Sequence, residues 1–482
     1  MSKLGELLEG LNERQRAAVE TPGTPLCIRA GAGTGKTRVL TRRIAYQAGA
    51  GAIDPARTLA LTFTRKAGHE LRHRLASLGL QRSVDAGTFH RAAFAQLRTR
   101  WAERGVRPPE LVQDKRRLMD RVNKQAGLRL AKTDLTDAIT EIEWAKARRI
   151  TPDRYGEAAS RLRQWSALDP SLISNLYQRY EDEKTKRRVV DFDDLLILAL
   201  RDLNDDPDYA EARRWKYQHL FVDEFQDVNQ LQFDLLRAWL GDGNDLCAVG
   251  DPNQAIYCWN GADSDYIERF GDWFSGALVL DLVDNYRSTP QILAAGRAVL
   301  SAGAAPLVSH HLDGPRPSVT THADDTDEAA AIARALRDAK GPETAWSSMA
   351  VLARTNAQAA KLTAALRRAA IPHRVRIDAH RNEEDAGDSS PNGSDAVDVA
   401  TFHAAKGLEW PIVHLAGLEQ GLVPISRART SAEIAEEQRL LYVAITRAER
   451  ELHCHWAAQR AFGDRSVARA PSPYLNSILS AA

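Results

Sequence analysis

The chain has 482 residues, with 65 lysines and arginines against 64 aspartates and glutamates and a net charge of +1. That length allows roughly two to four domains, the composition (44% hydrophobic, 27% charged) is that of an ordinary globular protein, and the near-neutral total does not by itself point to an acidic partner. No apolar run approaches the roughly 20 residues of a membrane span, and the first ten residues carry no signal-like core. The expected location is therefore cytoplasmic, with no membrane contact. Cys27, Cys247, Cys258 and Cys454 stand apart without a C-x-x-C pair, which argues against a zinc ribbon, an iron–sulfur cluster or a disulfide framework, so no structural metal is expected.

In chain order, Leu11–Val19 predicts a short helix capped by Asn12, with Gln15 near the following loop. Its amide offers one donor and one acceptor, the pair an adenine edge requires. Next, an apolar strand from Leu26 runs into Ala30-Gly31-Ala32-Gly33-Thr34-Gly35-Lys36-Thr37 and then a helix with Val39, Leu40 and Ile44 on one face. Glycines let consecutive backbone N–H groups converge on phosphate, the helix start adds its positive dipole end, and Lys36 can reach the β and γ phosphates. Thr37 would ligate magnesium. The general pattern begins with glycine, where this loop has Ala30.

A buried-type strand ends at Thr62-Phe63-Thr64, followed by a helix over 66–78, and the arrangement repeats at Asp85–His90. Loops at the carboxyl ends of an open parallel sheet line one edge, so Phe63, Thr88 and His90 would share a face with the phosphate loop. From Arg91 to Arg188 helical periodicity dominates, with 23 lysines and arginines against 14 acids, a local balance of +9. This segment is read as a helical insertion; its excess charge fits a phosphate-facing surface, and equally a solvated helical face.

His219–Asp227 is an apolar strand ending in acids, whose Asp223 can hold magnesium and whose Glu224 can orient or deprotonate an attacking water. Gln254, after the next strand, could sense a γ-phosphate. Tyr257 and Trp259 just beyond it could stack unpaired bases, at roughly 1 to 3 kcal/mol per base, or fill an inter-domain core. A new sheet is expected to start at Ala277–Leu282, with strands near 318–320 and 349–353, a helix over 357–369 and a polar, apolar-poor stretch over 378–394. Val397–Thr401 restores a strand, with His403, Lys406, Gly407 and Glu409 in its loop, and a helix runs from Glu436 to Arg447. Arg287 and Arg447 are candidates to stabilise charge on a transferring phosphoryl group, as arginines supplied from a second domain do. Each could also be an interface ion-pair residue.

Together these motifs resemble superfamily 1 DNA helicases of the UvrD/Rep/PcrA type over nearly the whole chain. The matching segments are Ala30–Thr37, Thr62-Phe63-Thr64, Gly87–His90, Asp223–Asp227, Asn285–Thr289, His403–Glu409 and Tyr442–Ala448, and Ala30 is itself the family's form of the loop. Glu141–Lys146 and His403–Trp410 bring the likeness nearest to the second UvrD-type paralogue of actinobacteria. The resemblance implies an α/β fold: two RecA-like P-loop motor domains with parallel sheets, and ATP in the cleft between them. The first, 1A, would span 1–90 and 189–276 around a helical 1B insertion over 91–188; the second, 2A, would span 277–482.

By motif match, Gln15 would read adenine between Arg38 and Tyr286. Lys36, Thr37, Asp223 and Glu224 would hold magnesium-ATP and activate water. Gln254, Arg287 and Arg447 would surround the γ-phosphate, and Glu409 would contact ribose. Phe63, Thr88, His90, Tyr257, Trp259 and His403 would line the DNA track.

Three departures stand out: Asn260 where relatives usually place arginine, Arg65 and Gly68 for an asparagine and an alanine, and a polar linker at 378–396 in place of the 2B subdomain. The implied function is an ATP-dependent 3′ to 5′ DNA helicase and single-strand translocase acting on single-stranded and 3′-tailed duplex DNA, in repair or replication. One alternative is a translocase that displaces proteins and unwinds poorly without a protein partner or 2B. The other is an ATP-switched DNA-binding module, disfavoured because a clamp needs none of Lys36, Glu224, Arg287 and Arg447.

Overall fold

Short buried apolar strands pair in parallel in both halves of the chain, most of them joined by crossover helices that return the chain to start a parallel neighbour. The computed structural model describes residues 3–23, 25–80, 84–162, 168–300, 306–376, 395–462 and 465–481. The chain forms two compact units. The first comprises 1–29, 36–252 and 257–281; the second comprises 30–35, 253–256 and 282–482.

The first unit's sheet has strand order Asp85–Thr88, Thr58–Thr62, His219–Val222, Leu246–Gly250, Leu26–Ala30, Leu278–Leu282. Leu26 to Arg29 run parallel to Cys247 to Gly250, and Leu220 to Val222 run parallel to Leu246 to Ala248. The carboxyl ends of these neighbours therefore lie side by side. Leu59, Leu61, Phe89, Leu97, Leu196, Trp239 and Phe270 share the core against the sheet. The helix Phe89–Glu103 belongs to that core, whereas Met119, Ile142, Trp144, Tyr155, Leu176 and Tyr180 form a separate helical core.

That helical segment is tied down by an internal ion cluster. Lys146 Nζ lies 2.7 Å from Asp191 and 2.8 Å from Asp194, and Lys184 Nζ lies 3.1 and 2.6 Å from the same carboxylates. Lys115 bridges Glu143 and Asp193. Against the burial that would raise it, Lys146, Lys184 and Lys115 hold the Asp191 carboxyl well below the usual carboxylate range. Among the described residues, the three carboxylates close enough to share an ion are Glu181, Asp191 and Asp194, and both ammonium groups already sit among them. Three of the segment's basic residues are thus internal, so charge counting overstates the basic surface it can present.

The second unit's sheet runs in the order Ser318–Asp324, Ala448–Phe462, Trp410–Ala416, Met349–Ala353, Val397–Thr401, His373–Arg376, with Arg465–Ala468 antiparallel on Ala448–Phe462. Its core joins Val351, Val399 and Ile412 to Ile332, Leu336, Leu362 and Leu366 of two covering helices. The sequence places the start of a new sheet at 277–282, but Leu278–Leu282 is the edge strand of the first sheet. The Leu278 N–H donates to Pro25 O, and Arg29 makes a bidentate pair with Asp281. Strand propensity alone cannot say which sheet an edge joins. The expected helix Glu436–Arg447 is longer and ends earlier, at Ser431–Ile445. The polar linker 378–396 lies outside the described residues except for Asp395 and Ala396.

A histidine chain is built into this second sheet. His414 and His453 are ladder partners with stacked rings 4.7 Å apart. His414 Nδ1 lies 3.0 Å from His455 Nε2, His455 Nδ1 lies 3.1 Å from His322 Nε2, and His322 Nδ1 lies 3.7 Å from Asp327. Burial, then the neighbouring imidazoles, push His414 well below its ordinary value and His455 down to about 3.

Two predictions follow from these buried groups. Lys146→Ala leaves Asp191 and Asp194 short of a partner and should lower stability by about 3 to 5 kcal/mol, read as a lower urea midpoint. Unfolded histidines take up protons near their ordinary pKa of 6.5, whereas His414 and His455 resist, so their stabilisation is present above that pH and is lost as the pH falls. The slope is about 1.4 kcal/mol per pH unit for each imidazole. The melting temperature should drop between pH 7 and pH 5; an equal drop in a His414→Phe, His455→Phe double variant would refute this source, with Asp327, Glu451, His322 and His453 the titratable neighbours.

Candidate nucleotide and DNA site

The strand Leu26–Ala30 delivers the loop at its carboxyl end, and the helix Lys36–Gly49 begins directly after it. Gly33 and Gly35 take φ of +68° and +82°, open to glycine at no steric cost. Within the second unit, Asn285 Nδ2 donates to Ala32 O at 2.6 Å and the Tyr286 N–H donates to Gly33 O at 2.9 Å. A Cβ on Gly33 would stand 2.5 Å from Asn285 Nδ2 and 2.7 Å from Arg287 Cβ. Thr34 Oγ1 donates to Gly31 O and closes the turn.

In the first unit, Thr37 Oγ1 donates to Asp223 Oδ2 at 3.1 Å. Lys36 Nζ lies 4.0 Å from Glu224 Oε2; it is buried and has no hydrogen-bond partner among the described residues. A buried ammonium without an acceptor is expensive, and a phosphate oxygen would supply one. Burial, with the Glu224 charge next, raises Asp223 to about 7. The hard-oxygen pair of Thr37 and Asp223 suits magnesium, so the residues present fit both groups.

Glu224 follows Asp223 at φ +53°, a sparsely populated conformation for a residue with a side chain. Gln226, fully buried, donates from Nε2 to Glu224 Oε2 and accepts from the Asp251 N–H at 2.9 Å. A Cβ on Gly250 would fall 2.4 Å from Gln226 Oε1. Sequence reasoning missed Gln226 as the residue that holds Glu224; its place inside the Asp223–Asp227 motif was the available signal.

Gln15 is buried and spends part of its amide on a capping box, accepting from the Asn12 N–H at 3.2 Å. Arg38 is exposed and donates to Gly10 O. In the second unit, Arg287 pairs with Glu409 and donates to Thr446 O, with its Nε buried and unbonded among the described residues. Lys406 Nζ donates to the backbone of buried Gln254 at 2.8 Å. Arg447 lies beyond its helix rather than within it, and it is 1% exposed. It donates to Val443 O and Leu408 O at 2.9 and 3.1 Å, satisfying a carbonyl the helix end leaves open.

Of the DNA-track candidates in the first unit, Phe63 packs edge-on to Phe89 and His90 edge-on to Phe192, with Arg65 over the same Phe192 ring. Thr88 is buried and its hydroxyl accepts from the Arg91 N–H, so it caps a helix. Tyr257 and Trp259 meet edge-on at 6.3 Å, Tyr257 buried and Trp259 half-buried. His403, in the second unit, is half-buried.

A glycine-rich loop with its lysine and threonine, an acid pair at the end of a strand two along in the same sheet and a second parallel α/β unit define a P-loop ATPase with two RecA-like sheets. The UvrD/REP helicase N-terminal domain matches residues 11–275, and the UvrD-like helicase C-terminal domain matches 280–380 and 376–459. The chain belongs to the UvrD/REP helicase family. It is 34% identical to the ATP-dependent DNA helicase UvrD2 of Mycobacterium tuberculosis, over 98% of this chain and 82% of that protein. It is 34% identical to the ATP-dependent DNA helicase PcrA of Leuconostoc citreum over 76% of this chain and 50% of that protein. The figures for DNA helicase II of Escherichia coli are 32%, 77% and 52%. The match to the mycobacterial protein extends over 577 positions, 95 more than this chain has residues. Among the described residues, no helix is long and apolar enough to cross a membrane.

Gly33→Ala should lower ATPase activity by more than about tenfold, since a displaced loop misplaces the reacting groups. Steady-state ATPase with saturating oligo(dT) checks it, and wild-type turnover would show that the loop tolerates the added methyl.

Proposed function

We propose that this chain is an ATP-driven DNA helicase that moves 3′ to 5′ along single-stranded DNA and acts on 3′-tailed duplexes in repair or replication. The observation that carries the reading is the buried Lys36 ammonium, without a hydrogen-bond partner among the described residues, beside the Thr37–Asp223 pair. When bound, magnesium-ATP supplies the phosphoanhydride whose hydrolysis drives movement.

Lys36 and the backbone of Ala30–Gly35 bind phosphate, and Thr37 and Asp223 hold magnesium. Glu224, fixed by Gln226, takes the proton of the attacking water. Gln254 senses the γ-phosphate, and Arg287 and Arg447 balance its charge; Gln15, Arg38, Tyr286 and Glu409 recognise the nucleoside. Phe63, Thr88, His90, Tyr257, Trp259 and His403 contact the strand, the aromatics by stacking. The domain reading keeps 1A at 1–90 and 189–276 with 1B at 91–188, and the pairing of Leu278–Leu282 with the first sheet moves the start of 2A from 277 to 282. The chain works in the cytoplasm.

The second reading is a translocase that displaces proteins and unwinds duplex poorly without a partner or the 2B subdomain.

Glu224→Gln should keep ATP and DNA binding and lose turnover by about 100-fold or more; unchanged ATPase would remove the assigned role. Strand separation on a 3′-tailed duplex, with ATPase followed in the same tube, divides the two readings. Unwinding by the purified chain supports an autonomous helicase, and DNA-stimulated ATPase without unwinding supports the partner-dependent translocase.

A further inference from the structure

Two adjacent histidines brace the segment that follows the first sheet. Asp284–Asn285 pairs in parallel with Val308–Ser309, Val308 opposite Asp284 and Ser309 opposite Asn285. The His310 N–H continues the pairing by donating to Asn285 O at 2.8 Å. This register carries the His310 imidazole over the Tyr286 ring, stacked at 4.6 Å with 20° between the planes. Its Nε2–H is anchored on Asp284 Oδ1 at 2.9 Å. The next residue grips the same tyrosine by its backbone: His311 Nε2–H donates to Tyr286 O at 2.9 Å, while the His311 N–H donates to Ser309 Oγ. Ser309 Oγ in turn donates to Ser288 O at 2.7 Å. On its amide side, Tyr286 donates to Gly33 O of the phosphate loop.

Tyr286 is 44% exposed, and an exposed phenol ordinarily samples several rotamers. Here one ring face is covered by an imidazole that is fixed by a carboxylate, and the backbone on both sides is hydrogen-bonded. We infer that His310 is a positioning residue for the nucleotide base: it holds the Tyr286 ring in the plane that stacks adenine, at a fixed distance from the phosphate loop. The inference rests on the reading of Tyr286 as the adenine platform. A platform ordered before binding loses less freedom when the base arrives, so the effect belongs in KM for ATP rather than in kcat. His311 orders the same peptide without touching the ring.

The test is DNA-stimulated ATPase of the full chain with oligo(dT), with kcat and KM for ATP measured for wild type, Tyr286→Ala, His310→Ala, His310→Phe and the Tyr286→Ala, His310→Ala double variant. Inhibition by inorganic tripolyphosphate, which has no base, is measured alongside. The expected result is a KM raised about 3- to 10-fold in His310→Ala, with kcat within about twofold and tripolyphosphate inhibition unchanged. His310→Phe should restore KM, because a phenyl ring can stack where the imidazole did, and the double variant should be no weaker than Tyr286→Ala alone.

A wild-type KM in His310→Ala, together with a raised KM in Tyr286→Ala, would overturn the inference and leave the platform reading in place. An unchanged KM in Tyr286→Ala would overturn the platform reading and the inference with it. Weakened tripolyphosphate inhibition in His310→Ala would also overturn the inference, by assigning His310 to the shape of the phosphate loop.

Discussion

Parallel pairing of three buried strands is the constraint on which the first unit's chemistry depends. Arg29 stands opposite Gly250 and Val222 opposite Ala248, so the next residues along each strand emerge at one edge. Those residues include Ala30, Asp223 and Asp251. Each strand carries few polar atoms and is fully or nearly fully buried, and a slip of one residue would turn its side chains to the wrong face. The register therefore fixes the distance from Thr37 to Asp223, and the rigidity of the sheet keeps the buried ammonium of Lys36 beside two carboxylates before any ligand arrives.

Two tensions in the site make sense in that light. Asp223 is buried beside the half-buried Glu224, and its burial, then the Glu224 charge, raise Asp223 to about 7, while Glu224 sits in a left-handed conformation. Both are unfavourable in isolation. Gln226 and the close approach of Gly250 hold Glu224 in place, so the strain is carried by a packed core rather than by a loop. The site is ordered where protons and phosphate must be placed, which is where preorganisation contributes most.

Burial is used differently elsewhere. The helical segment is joined to the start of the helix Phe192–Asp205 through ammonium–carboxylate contacts between its lysines and the acids that open that helix. The second sheet instead buries a hydrogen-bonded chain of imidazoles in which burial disfavours the charged forms of His414 and His455. The first arrangement is charged and needs both partners present; in the second, His414 and His455 tolerate burial only while unprotonated.

The sequence by itself determined the order of strands and helices, the phosphate loop with its lysine and threonine, the acid pair, the motif arginines and, through resemblance, the family. These are local patterns: strand periodicity, glycines before a helix, carboxylates at a strand end. Only the tertiary structure decided that Leu278–Leu282 closes the first sheet instead of opening the second, that Thr88 spends its hydroxyl on a helix cap, that Arg447 turns inward onto carbonyls, and that Lys115, Lys146 and Lys184 are internal. The same holds for Gln226 behind Glu224 and for His310 against Tyr286. In each case the deciding partner lies elsewhere in the chain or depends on which way a backbone group points, and neither spacing nor composition encodes a hydrogen-bond partner that folding alone brings within reach.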